Sequence, residues 1–143
     1  MKLQLDRYPY TEPFRPGVVR LLFELASSPE TDGCVPKDLY LYVWVREHSL
    51  VESFQIVLDD SLTLVYRAPN YVTVGRVGRM PMNRAISNED AASDTHTIRR
   101  YVRNFRNAAF TGLLTWIESI AHGRSSREYR LSDDEQQQFL AIT

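Results

Sequence analysis

Cysteine is nearly missing from this chain of 143 residues, with Cys34 the single one. One thiol forms no internal disulfide and no multi-cysteine metal site, so nothing implies a compartment that oxidises thiols. It lies in Asp32-Gly33-Cys34-Val35-Pro36, a loop composition without a nucleophile signature around it. Histidine is also scarce, and His48, His96 and His122 are not at the spacing of paired zinc ligands. No apolar run reaches the ~18–20 residues that span a bilayer. Met1-Lys2-Leu3-Gln4-Leu5-Asp6-Arg7 has no apolar signal-peptide region and meets an acid at position 6. The expectation is a soluble, cytoplasmic protein with no membrane partner.

Catalytic signatures are missing too. Gly75-Arg76-Val77-Gly78 is followed by Arg79-Met80-Pro81, with neither the lysine–serine pair nor the helix start of a phosphate-cradling loop. There is no nucleophile elbow. Asp59-Asp60 and Asp133-Asp134 fit a turn and a helix start better than paired catalytic carboxylates. The sequence therefore nominates no catalytic residue, no metal ligand and no cofactor.

What is present is ordinary for a globular domain, 43% hydrophobic and 24% charged residues, and the length fits one domain over residues 1–143. Leu3 and Leu5 suggest a short edge strand. From Thr11 or Arg15 to Ser28, apolar positions 18, 21, 22, 25 and 26 fit one helical stripe, with Pro13 and Pro16 in its first turn. Strand-like runs follow at 38–46, 53–58, 62–68 and 71–77, rich in β-branched and aromatic residues and joined by short turns. Such links exclude parallel crossovers and predict an antiparallel meander.

Residues 78–95 are irregular, with Ser87-x-x-Asp90 as a possible capping box opening a turn of helix. Thr97–His122 reads as one long helix, capped by Asp94 or Thr95 and closed by Gly123. Gly112 inside it suggests a close approach. Ser132-Asp133-Asp134-Glu135 opens a last short helix. The predicted fold is α+β, a four- to five-stranded antiparallel meander packed on one long C-terminal helix, in the order β-α-β-β-β-β-α-α.

Alternation sorts the strand side chains into two faces. Leu39, Leu41, Val43, Val45, Phe54, Ile56, Leu58, Leu62, Leu64, Tyr66, Val72 and Val74 form an almost wholly aliphatic set, the predicted core face. The opposite set carries Tyr40, Tyr42, Trp44, Arg46, Arg67 and Tyr71 among Ser, Gln, Val and Thr, without an acid. Aromatic residues and arginine are enriched at protein interfaces, and they also stack on and neutralise single-stranded nucleic acid. Alternatively, the first helix or the chain's own amino terminus covers this face.

The net charge of −1 conceals a pattern, −4 over residues 1–63, +6 over 64–130 and −3 over 131–143. Fifteen arginines stand against two lysines, and eleven of them fall in the middle block. Arg99, Arg103 and Arg106 are spaced to share one face of the long helix, and Arg76 and Arg79 flank Gly78. The leading reading is a non-enzymatic protein-binding module, such as an adaptor, chaperone, inhibitor or subunit. Its contact surfaces would be the aromatic sheet face and the arginine face of the helix, and its partner a protein or a second copy. The alternative is a protein that binds RNA or single-stranded DNA, with Arg76, Arg79, Arg99, Arg103 and Arg106 on phosphates. The third is a small enzyme with a pocket near residues 78–96, for which His96 beside Asp94 is the residue of interest.

Overall fold

Alternation alone accounts for four strands, β4 (Leu39–Arg46), β5 (Leu50–Leu58), β6 (Leu62–Arg67) and β7 (Tyr71–Arg76). A computed structural model describes residues 3–25, 38–59, 62–76, 88–125 and 127–143, and of 88–92 the backbone only. The four strands pair antiparallel in chain order, so the meander is as expected. The second begins at Leu50 rather than residue 53, because the register shifts after Trp44 and Glu52 bulges between Ser53 and Val51.

The predicted first helix is wrong. Residues 10–24 form two strands, β2 (Tyr10–Arg15) and β3 (Val18–Glu24), which extend the meander to six strands in the order β2-β3-β4-β5-β6-β7. The turn between them is Pro16-Gly17, where Gly17 adopts φ +80°, the value that the third position of a type II turn requires. Positions 18, 19, 21, 22, 23 and 25 are apolar, a run dense enough to satisfy a period of 2 as well as one of 3.6. Sheet pairing decides for the former: Leu21 and Phe23 are fully buried in the core while Leu22 faces the other way.

The predicted long helix is broken. Helix α1 (Asn88–Tyr101) begins well before Thr97, so Asp94 lies inside the helix and caps nothing. Ser87 lies outside the described residues. After Tyr101 the chain turns through Asn104, at φ +56°, into β8 (Phe105–Arg106). That segment pairs in parallel with β1 (Leu3–Gln4), and the buried Asn107 locks the join. Its side chain donates to the Asp6 carbonyl and accepts from the Ala109 amide. Helix α2 (Thr111–Ala121) follows, and Gly123 at φ +69° closes it as expected. Helix α3 (Asp133–Ile142) starts at a Ser132–Glu135 capping box.

The class is therefore α+β, with a six-stranded antiparallel sheet and three helices among the described residues. Every residue assigned to the aliphatic face is buried except two on the edge strand β7, where Val74 is partly buried and Val72 exposed. Against that face pack Ile98 and Val102 of the first helical segment and Phe110, Leu113, Trp116, Ile117 and Ile120 around α2. Trp116 meets Phe54 and Tyr66 edge-on and stacks on Tyr129, with centroids 5.0–5.5 Å apart, and its Nε1 donates to the Arg127 carbonyl. Each such side chain contributes roughly 1.5–3 kcal/mol on burial, so this layer carries most of the stability.

Candidate interaction face

The opposite face of the sheet is built from Tyr10, Glu12 and Phe14 of β2, Arg20, Leu22 and Glu24 of β3, and the alternate residues of β4, β5 and β6. Tyr40, Tyr42 and Trp44 on β4 and Gln55, Val57, Thr63 and Val65 on β5 and β6 are only half-buried. The buried apolar residues of the three helices belong to the cluster on the other face. Among the described residues there is no first helix to cover the aromatic face, while the amino-terminal β2 segment, the other candidate cover, reaches over part of it through Phe14 and Arg15. Val18 and Leu50, which flank Arg46 in register, are buried at the hairpin end of this face, apart from the main cluster.

This surface is concave. Arg15 on β2 forms an ion pair with Glu52 on β5, although the two strands are three positions apart in the sheet. Three strand spacings are about 14 Å in a flat sheet, about the fully extended reach of both side chains together, and a β2–β3 hairpin curled over the face shortens that span. The two bulges, at Phe14 in β2 and Glu52 in β5, supply the extra twist. Phe14 likewise meets Trp44 edge-on at 6.0 Å across the intervening strand. Beneath this arch is an open depression of about 620 Å³ lined by Phe14, Arg15, Trp44, Glu52, Gln55 and Arg67, among others.

Charge on the face is nearly balanced. The sequence reading found no acid there, because it covered neither β2 and β3 nor the bulge; these bring Glu12, Glu24 and Glu52. Arg20 pairs with Glu12 and also lies over the Tyr42 ring at 5.3 Å, and Tyr42 stacks with Trp44 at 6.1 Å. Arg46 and Arg67 are exposed and make no ion pair among the described residues. Tyr71, opposite Arg67 on the edge strand, is exposed at 55%.

The remaining sequence-predicted residues are not brought together as one helical face. Since α1 ends at Tyr101, Arg103 and Arg106 lie beyond the helix. The Arg99 Nε donates to the Ala121 carbonyl at the end of α2, 3.1 Å away. Arg103 donates to the Arg99 carbonyl and Arg106 to that of Phe105, both at 3.0 Å. Arg99 and Arg103 thus satisfy carbonyls in the last turns of α2 and α1, and Arg106 one on strand β8. Arg76 is held at 2.9 Å by the buried Asp94. Arg79 and Cys34 lie outside the described residues. His96 is exposed, and among the described residues no three His, Cys, Asp or Glu side chains gather as metal ligands would.

The residues that sequence reasoning missed are Tyr10, Phe14, Arg15, Arg20 and Glu52. The Pro16-Gly17 dipeptide was the available signal for the hairpin that carries four of them. Nothing in the sequence marks the bulge at Glu52. Comparison of the chain with protein families, with curated proteins and with solved structures found no match.

Proposed function

We propose that this chain is a non-enzymatic protein-binding module whose contact surface is the concave face centred on Tyr42 and Trp44. The observation that carries the reading is a six-stranded sheet with its described helices packed on one side and an aromatic, half-buried surface on the other. Large amphipathic rings in a concave setting are the usual anchors of protein interfaces. Arginine pairing supports a protein over a nucleic acid. Two of the four arginines on this face already hold acids, and three of those first nominated for phosphates hold the chain's own carbonyls. A backbone-tracking groove for single strands needs uncompensated positive charge along its length.

A photo-cross-linking residue at Tyr42, compared with one at the exposed Gln137 on α3, tests this in the cells that make the protein. A discrete protein adduct from Tyr42 and none from Gln137 is expected. Adducts to RNA, the same adducts from both positions, or none at all would overturn it. With the partner in hand, Tyr42→Ala should weaken binding roughly tenfold, about 1–2 kcal/mol.

A further inference from the structure

Two residues that line the depression each carry a buried polar atom with no hydrogen-bond partner among the described residues: Trp44 Nε1, a donor, and Glu52 Oε2, an acceptor. Such groups cost free energy when left unpaired, and each one in a native fold calls for an explanation. Trp44, Ser53 and Arg67 form one row across β4, β5 and β6, directly opposite one another in register. Neighbours in such a row are about 5 Å apart, so the Trp44 and Arg67 side chains leave the sheet on either side of Ser53. The Arg15–Glu52 pair closes the near wall. The charged lining residues are Arg15, Arg67 and Glu52, a surplus of one positive charge, and among the described residues Arg67 has no acid against it.

We propose that this depression is an anchor for an acidic side chain of a protein partner, a deepening that rests on the protein-binding reading above. The carboxylate pairs with the exposed Arg67 guanidinium, and a small shift of the indole brings in the Trp44 N–H; both groups are donors only. The main-chain N–H beside it satisfies Glu52 Oε2. A cation is disfavoured, because Glu52 is already neutralised by Arg15 and Arg67 would repel it.

The indole protons report directly on this site. Trp44 and Trp116 give two indole resonances in a ¹⁵N-labelled sample, assigned with Trp44→Phe. Trp116, bonded to the Arg127 carbonyl in the core, serves as the control for folding. The probe is a blocked peptide of alternating Glu and Ser, compared with its Gln–Ser counterpart and with sodium acetate. Expected is a saturable shift of the Trp44 indole with the Glu peptide, at least tenfold weaker with the Gln peptide and in Arg67→Gln. Equal shifts with Glu and Gln peptides, an equal response to acetate, or no shift up to about 5 mM, where binding free energy falls near −3 kcal/mol, would overturn it. If Arg67→Gln perturbs the Trp116 resonance, the comparison of peptides on the unaltered chain decides alone. A flat titration beside a positive Tyr42 cross-link removes the carboxylate anchor and leaves the face; loss of the cross-link removes both.

Discussion

Gly112 shows how a single missing methyl is used. A Cβ there would lie 2.5 Å from the Tyr129 hydroxyl and 3.3 Å from Glu135 Oε1. That hydroxyl donates to the buried Glu135, which also accepts from the Leu113 amide and from the Ser132 amide at the cap of α3. Gly112→Ala should therefore destabilise the fold by about 1–2 kcal/mol in urea unfolding, despite gaining up to about 1 kcal/mol of helix propensity. In a Tyr129→Phe background the penalty should largely vanish. Burial raises the Tyr129 phenol well above its ordinary value, with Glu135 adding to the shift, and burial raises Tyr66 with help from Glu128. A phenol whose pKa is higher in the folded state leaves stability intact below the unfolded value near 10. Stability is then lost as pH climbs through the folded value, because the unfolded chain ionises first. Unfolding free energy measured from about pH 9 to 11 should be level and then fall, and Tyr129→Phe should flatten the decline. Trp44→Phe removes an unpaired buried donor, and its expected effect on stability lies between neutral and a gain of about 1 kcal/mol in the same unfolding assay.

At the level of elements, the aliphatic and aromatic faces of β4, β5 and β6 were legible in the sequence because each strand alternates cleanly and tertiary pairing only confirmed that period. The hairpin at residues 10–24 was not, because its density of apolar residues fits two periods and Pro13 and Pro16 are compatible with the first turn of a helix. The interruption at residues 102–110 was hidden for a related reason. Val102, Phe105 and Ala109 keep helical spacing, yet Asn104 adopts a left-handed conformation and Asn107 bonds the backbone, as asparagine does in turns. The candidate site inherited both errors: its β4 and β6 residues were found and its β2 arch was not. The join at Asn107 is testable on its own. Asn107→Ala should cost about 2 kcal/mol and speed amide exchange at Leu5, which donates to the Arg106 carbonyl, ahead of the strands of the main sheet.

For the molecule as a whole, the two faces of one sheet have separate tasks. Ile56 and Val57 are neighbours in β5, yet Ile56 is fully buried beneath the helices and Val57 half-buried on the aromatic side. Ile56→Ala should cost about 2–5 kcal/mol and Val57→Ala under about 1 kcal/mol in chemical denaturation. A molecule arranged this way can vary the aromatic surface with little threat to its fold.

That same layering has a consequence for how the chain is made. Strands β2 to β7 are complete by Arg76, but apart from Leu3 and Leu5 the described side chains that cover their aliphatic face lie after residue 88, out to Phe139 and Ile142. During synthesis at roughly 5–20 residues per second, the emerging sheet waits on the order of 3–13 seconds for its helices. For that interval its greasy side is bare, and a nascent chain halted near residue 80 should be held by chaperones or lost to aggregation.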